Sequence, residues 1–301
     1  MKQLQINEQE VLEGLVLANR HILSLQDNMI ISNTLAAAQR VTLVAMSASG
    51  SEPCIAGFVG QGLLDIAVIG NAKAAPGPAQ VFKAIQLADR GQGVLLVVLN
   101  NAGDILTSNI VLKQAAKLGI KISRVILQDE LLPNPETTSD NTAPLKDLCQ
   151  GLVGILPVLK IAGAAAAVGM PLNELTALAQ ACADNTVTAS IGLADLAEAI
   201  SAEDLAAAVI PQIEDALKPG AEEPLLVIVN GNGVASLAEQ LALYRSCFAE
   251  LTGKGFSVAA SAVNDYYTGQ ANIFANICIA KLSDQLLQLW NAGCKAPYFS
   301  K

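Results

Sequence analysis

A single histidine, His21, stands in 301 residues, and its solitude excludes several classes of chemistry. A Ser-His-Asp or Cys-His nucleophile, an H-E-x-x-H zinc helix and a His2Cys2 metal site each require imidazoles that this chain does not supply. His21 falls at the end of an amphipathic first helix expected over Glu8–Ile22, where a solvated helix-end histidine is the ordinary role. Aromatic residues make up only 4%. Basic residues are scarce too: 18 Lys and Arg against 27 Asp and Glu leave a net charge of −9. Neither nucleic acid nor an anionic membrane surface would find a cationic face to grip. The six cysteines, Cys54, Cys149, Cys182, Cys247, Cys278 and Cys294, form no C-x-x-C pair and read as buried free thiols. The amino terminus MKQLQINEQEV has no apolar core of a secretory signal, so a cytoplasmic chain is expected. The most apolar region, Ile155–Leu172, is interrupted by Pro157 and Lys160 and reads as a buried helix rather than a membrane span.

What is abundant is small and aliphatic. An apolar fraction of 52% and a mean hydropathy of +0.44 describe a core of Ala, Val, Leu and Ile, suited to parallel sheets between Ala-rich helices. The length accommodates two α/β domains, expected over residues 1–184 and 185–301, each a mostly parallel sheet flanked by helices. Strands are expected at Val41–Val44, Leu64–Ile69, Gly93–Leu99, Ile120–Leu127, Val187–Leu193, Leu225–Val229, Phe256–Ala260 and Ala271–Ala280. Between them the apolar spacing predicts helices at Val81–Ala88, Ile105–Leu118, Pro144–Val168, Asn173–Ala183, Ala235–Leu251 and Asp284–Trp290, with an acidic Ala-rich helix ending at Leu217. Gln26–Ser32 reads as a linker, Asn33–Arg40 as a short helical piece, and the polar stretch Gln128–Asn141 as either a long ordered loop or lid or flexible surface filler.

The stretch Val41–Gly70 organises the rest. A β-branched run empties into Ser47-Ala48-Ser49-Gly50, placing backbone N–H groups at the carboxyl edge of the sheet, where open α/β folds bind ligands. The segments SASGSEPC, GFVGQGLL (Gly57–Leu64), AAPGP (Ala74–Pro78) and Leu99-Asn100-Asn101-Ala102-Gly103-Asp104 resemble the signatures GGGSGHEP, G-(F/Y)-(V/I)-G-x-G-(M/L)-L, (S/T)-P-x-P and KNYTGD. Those belong to the DhaK family, the dihydroxyacetone-binding subunit of dihydroxyacetone kinase, and the resemblance spans most of the chain.

The resemblance implies a ketone fixed through a hemiaminal bond to a histidine of the second domain. A lysine and backbone groups hold its hydroxyls, an Asp and a second His manage the proton, and the nucleotide comes from a separate subunit or fused domain. Asp104 matches the Asp. Ser51 stands in place of the second His, Leu99 in place of the Lys, and Ala48 in place of the third loop glycine. The histidine that bonds the ketone has no counterpart between Ile191 and Pro224. Covalent capture is therefore not expected, and Leu99 should make the wall beside Asp104 apolar. Loss of the lysine removes a charge-assisted donor worth about 1.5–3 kcal/mol.

Other features have ordinary readings. Gly231 and Gly233 after a strand lack the acidic residue that would hold a ribose, so NAD is not expected and a tight turn accounts for them; in the family this place carries a VNNLG-type turn. Cys54 borders the loop but has no histidine partner near it in sequence. Asp65 reads as a solvated carboxylate at a strand edge, and Tyr266-Tyr267 as loop packing, an interface or a pocket rim.

Three functions stay open. One is a DhaK-like subunit without catalysis, acting in regulation, sensing or partnership with a nucleotide-binding subunit or a transcription regulator. Another is the substrate-binding subunit of a kinase for a different small polyol or keto sugar, held non-covalently with Asp104 as base and Ser51 or Asn101 as hydrogen-bond partners. The third is a scaffold without ligand. No cofactor is expected. Any ligand should contact Ala48, Ser49, Gly50, Ser51 and Asn101, and the resemblance implies a homodimer.

Overall fold

The computed structural model describes residues 6–72, 74–131, 149–196 and 200–301. Helix α1 (Glu8–Ala18) opens on a capping box formed by Asn7 and Glu10. It stops short of the expected Ile22 because the Asn19 N–H turns back to the Val16 carbonyl, which leaves His21 exposed in the turn that follows. The expected linker Gln26–Ser32 is instead a hairpin of β1 (Leu23–Gln26) and β2 (Met29–Ser32), turning at Asp27 with φ +54°. Met29, Ile30 and Ile31 pair antiparallel with a neighbouring strand. Three apolar residues are too few to announce a strand, and the partner decides the matter. The helical piece expected at Asn33–Arg40 shrinks to one 3-10 turn, Leu35–Ala37.

Strands β3 (Thr42–Ser49), β4 (Ile66–Ala72), β5 (Val94–Leu99) and β6 (Ile122–Leu127) alternate with α2 (Pro78–Ala88) and α3 (Ala102–Lys117). They form a six-stranded sheet in the order β1-β2-β4-β3-β5-β6 in which β4, β3, β5 and β6 run parallel. β3 outlasts its apolar run: Ser47 lies opposite Ile69 and Ser49 opposite Ala72, so the Ser/Gly loop begins only at Gly50.

The second half carries α4 (Ile155–Ala167), α5 (Leu172–Asp184), β7 (Thr186–Gly192), α6 (Ala202–Leu217), β8 (Pro224–Asn230), α7 (Leu237–Gly253), β9 (Ser257–Asn264), β10 (Ile273–Lys281) and α8 (Asp284–Asn291). A short hairpin, β11 (Lys295–Ala296) and β12 (Phe299–Ser300), closes the chain. The helix expected from Pro144 begins at Ile155, residues 149–154 being irregular or turn; residues 144–148 lie outside the described residues, as does the lid expected at 128–141 beyond Leu131. The α/β class stands, but this sheet, ordered β7-β10-β8-β9, has only its β8–β9 pairing parallel. The loop from β9 to β10 has no crossover helix, so β10 returns antiparallel and is inserted between β7 and β8, splitting that βαβ unit.

Alternation along the strands assigns three cores. Val44, Met46, Val94, Leu96 and Val98 face α2 and α3. Their neighbours Leu43, Ala45, Leu95 and Val97 face α4 and α5, which meet Leu226, Ile228, Cys278 and Ala280 of the second sheet on their other side. Val227, Val229, Ile277 and Ile279 face α6 and α7. The middle core thus runs across the expected boundary at Asp184-Asn185. Lying between two sheets, α4 is buried from Ile155 to Ala166, as expected of a helix apolar all round. Lys160 donates to the Leu289 carbonyl at 2.7 Å, and burial lowers its pKa. No helix among the described residues is long and apolar enough to cross a membrane.

Glycines of GFVGQG seat the carboxyl terminus. The Lys295 N–H donates to Gln61 at 2.8 Å and that of Tyr298 to Gly57 at 3.0 Å. A Cβ on Gly60 would stand 2.1 Å from the Lys295 carbonyl oxygen, and one on Gly163 of α4 would stand 2.6 Å from the Gly62 oxygen.

Candidate functional site

The carboxyl edge of the first sheet opens into a cleft of about 650 Å3, bounded by Ser47–Ser51, the Asn101–Asp104 turn and the Tyr267–Gln270 loop of the second half. The residues singled out in the sequence, Ala48, Ser49, Gly50, Ser51, Asn101 and Asp104, all line it. Backbone groups of Ser47 and Ser49 belong to the ladder with β4, and the Gly50 N–H already donates to both oxygens of Glu52 at 3.0 Å. The ready-made backbone cradle expected of the loop is therefore largely occupied by the protein itself.

Asp104 sits in the first turn of α3, placed there because β5 ends at Leu99 and Gly103 lets the helix start approach Ala75; a Cβ on Gly103 would meet that of Ala75 at 3.1 Å. The carboxyl is 3% exposed. Asn101 donates to its Oδ2 at 3.1 Å, whereas Oδ1 is buried without a partner. Burial pushes the Asp104 pKa up to about 6 against the lowering effect of the Asn101 hydrogen bond. Asp104 is the only charged side chain among the described residues lining the cleft. A ligand hydroxyl donating to Oδ1 would complete its hydrogen bonding, and a carboxylate with this pKa can take up a proton near neutral pH.

The other wall lay beyond sequence reasoning. Asn230 accepts from the N–H groups of Tyr266 and Tyr267 at 2.7 and 2.9 Å, and donates to the Tyr267 carbonyl at 2.8 Å and to Asn276 Oδ1 at 2.7 Å. Asn232, at φ +55°, donates to the carbonyls of Gln270 and Ile273 at 2.9 and 2.8 Å and accepts from Gln270 N–H at 3.1 Å. The turn Asn230-Gly231-Asn232-Gly233 is thus a clamp whose asparagines hold the cleft loop. Gly231 is needed because a Cβ would lie 2.0 Å from Gln240 Nε2. Thr268 then ties the loop to the first half by donating to the Glu52 carbonyl at 2.6 Å. Of the tyrosine pair, Tyr267 lines the cleft, its phenol kept protonated by burial, while Tyr266 packs between Phe58 and Phe299. Gln150, also missed, lines the cleft as well.

Two expectations are corrected. Leu99 makes no wall beside Asp104; it is buried, with Gly151 seated so closely that a Cβ there would come within 2.8 Å of the Leu99 side chain. Asp65 is wholly buried, not solvated: both its oxygens meet Arg40 at 2.9 Å and Oδ2 accepts from Leu43 N–H at 2.9 Å. Cys54, by contrast, is the buried free thiol expected; its pKa is pushed up to about 12, chiefly by desolvation, so it holds no nucleophilic thiolate at neutral pH. Among the described residues, no group of three or more His, Cys, Asp or Glu side chains is placed to hold a metal ion.

Comparison with known proteins agrees with this architecture. The Dak1 domain model matches residues 13–198 and 194–298. The dihydroxyacetone-binding subunit DhaK of PTS-dependent dihydroxyacetone kinase 2 from Listeria innocua is 26% identical, over 97% of this chain and 96% of its own. L-Erythrulose 1-kinase of Mycolicibacterium smegmatis is 28% identical over 97% of this chain and 56% of its own. A protein solved in connection with regulation of the dha operon of Lactococcus lactis superimposes with a TM-score of 0.87 at 22% identity, covering 97% of this chain and 95% of that one. The dihydroxyacetone kinase operon co-activator Dha-DhaQ gives a TM-score of 0.85 at 21% identity over 96% and 97%, and at such identities the likeness concerns the fold. The chain belongs to the Dak1-domain family, that of the dihydroxyacetone-binding subunits DhaK.

Proposed function

We propose that the chain is a DhaK-like subunit that binds a small neutral polyol or keto sugar without a covalent bond and acts as a non-catalytic sensing or partner subunit. Asp104 is its principal ligand contact, with Ser49, Ser51 and Asn101 around it. The observation that carries this reading is a cleft lined by one buried carboxylate with an unpaired oxygen and, among the described residues, by no imidazole, lysine or arginine. Without an imidazole no hemiaminal forms, and without a cation a phosphorylated ligand would face only the negative charge of Asp104. The role resembles that of the operon co-activator with which the chain shares its fold; the partner it implies is a nucleotide-binding kinase subunit or a transcription regulator, and the chain acts as one member of a homodimer.

The pKa of Asp104 near 6 favours a second reading, the substrate-binding subunit of a kinase with Asp104 as general base, since a base poised near neutrality is suited to hydroxyl deprotonation. Calorimetric titration with dihydroxyacetone and with glycerol separates covalent from non-covalent binding. The proposal expects affinities within about tenfold of each other, a difference of ~1.4 kcal/mol, and no adduct in the intact mass. A mass adduct with the ketone, or phosphorylation of either compound in the presence of a nucleotide-binding subunit, would overturn the non-catalytic reading.

A further inference from the structure

A second cavity, of about 770 Å3, adjoins the cleft, and Gln150 and Gln270 line both. Each volume falls within the roughly 300–1,000 Å3 of small-molecule sites. One side of the second cavity is sheet: Ala189 and Ile191, two apart on β7, and Ile273 at the start of the neighbouring β10. The other side is α6, where Leu205, Ala208 and Val209 share a face. Ala189, Ile191, Leu205 and Val209 are buried, whereas Ala208 is exposed and supplies only a methyl group, so the helix does not fill the space in front of β7.

The polar groups of this cavity are few and already engaged. Glu130 accepts from the Gln150 N–H at 3.0 Å, Asp195 from the Gly192 N–H at 2.7 Å and Ser190 from Asn276 at 2.9 Å, while Gln212 donates to the Ala208 carbonyl at 2.9 Å. Among the described residues no lysine, arginine or histidine lines it. An anionic group would meet two carboxylates and no cation, but a neutral hydrocarbon gains by leaving water. The wall shared with the cleft is different. Asn276 donates to Gln270 Oε1 at 2.9 Å and Asn232 accepts from the Gln270 N–H at 3.1 Å, which leaves the amide nitrogen of Gln270 as its free end. The Gln150 main chain is held by Glu130 in both directions, and its side-chain amide has no partner among the described residues. Two amide donors thus stand between a cleft holding a carboxylate and a cavity walled by aliphatic side chains.

We propose that the ligand of this chain is a polyol or keto sugar carrying a neutral hydrocarbon arm on an ether oxygen. Its hydroxyls meet Asp104 in the cleft, its ether oxygen accepts from the side-chain amides of Gln150 and Gln270, and its arm lies among Ala189, Ile191, Leu205 and Val209. The inference rests on the reading of the cleft as a polyol site and names the class of polyol. A bare triose would leave the second cavity to water against apolar walls, whereas an arm fills it and buries the surface that a ligand site of this composition offers.

Calorimetric titration of the full chain with glycerol and with its ethyl, butyl and hexyl monoethers tests the proposal. Affinity should rise about tenfold for every two methylenes added, as expected of burying them. Hexanol, which has the arm without the diol, should bind at least about tenfold more weakly than the hexyl ether. Ala208→Phe fills the cavity and Ala208→Glu charges it; at this exposed position both should keep the far-UV circular dichroism and cancel most of the gain from the arm. Glycerol, which stops short of the cavity, should bind both variants as it binds the unaltered chain. In the unaltered chain the terminal methyl of the hexyl ether should show nuclear Overhauser contacts to the methyl groups of Leu205 and Val209, a reading that needs no variant. If glycerol binds and its ethers bind no tighter, the arm is refuted while the polyol cleft stands. If no diol of any length binds, the cleft reading fails and the proposal fails with it. The proposal also falls if hexanol matches the hexyl ether, if both Ala208 variants keep the full gain, or if the Overhauser contacts lie elsewhere.

Discussion

Replacing Asp104 by Asn should stabilise the ligand-free protein at neutral pH while impairing its site. The carboxyl is 3% exposed with one oxygen unpaired, and burial raises its pKa from the ordinary 3.8 to about 6. Between those two values the folded chain holds a proton that the unfolded chain has released, so stability falls as pH rises through that window. A difference of about 2 pH units at ~1.4 kcal/mol each amounts to roughly 3 kcal/mol lost by pH 7.5. Asn at this position avoids that loss but forfeits about 0.3–1 kcal/mol of carboxylate interaction with the amino end of α3. The expected gain is therefore about 2 kcal/mol at pH 7.5, near 3 °C in Tm for a chain of this size, shrinking to a few tenths of a kcal/mol by about pH 4, where the folded carboxyl is protonated and the unfolded one about half so. Urea denaturation of both proteins at pH 4, 5, 6 and 7.5 measures it. A variant less stable than wild type at pH 7.5, or a difference that does not change with pH, would refute the reasoning. The same substitution should weaken polyol binding by about 10- to 100-fold, the usual consequence of losing a hydrogen bond to a charged group.

Asn230→Ala removes both acceptor and donor from the clamp, stranding two buried N–H groups. It should cost about 3–5 kcal/mol in urea denaturation and speed hydrogen exchange at 266–270. Arg40→Met leaves the buried Asp65 carboxylate without its cation and should cost about 3–5 kcal/mol, much of which a paired Arg40→Met, Asp65→Leu replacement should restore; chemical denaturation of the single and double variants distinguishes the two effects. Gly60→Ala sets a Cβ where the Lys295 carbonyl now lies and should lift the terminal hairpin from Trp290. Because the chain has one tryptophan, a red shift of its fluorescence reads that displacement directly.

The first sheet was legible because its strands are continuous apolar runs separated by helical spacing, the pattern of strands buried on both faces. Where the apolar signal was short or absent, tertiary pairing decided. Ser47–Ser49 carry no strand propensity and are held in β3 by β4; Met29–Ser32 are held by the same strand from its other side. The direction of β10 was illegible for a different reason: an apolar run fixes that a strand is buried, not which way it points, and only a nine-residue strand returning from a helix-free loop reveals the antiparallel insertion.

The cleft was legible by halves. Asp104, Asn101 and the residues after β3 follow strand ends, where ligand-facing positions can be placed from sequence order alone. Tyr267–Gln270 follow a strand end too, but they reach the cleft through Asn230 and Asn232, distant in sequence, whose side-chain amides replace a missing backbone ladder. The glycines of that turn mark it in the sequence, whereas the asparagines before each of them hold the loop. The clamp also couples the two halves chemically: Thr268 donates to Glu52, whose carboxylate occupies the Gly50 N–H. The Asn230 and Asn232 amides thus join the end of β8 to the loop that shares the cleft with Asp104, and Thr268 joins that loop to the Gly50 turn of the first half.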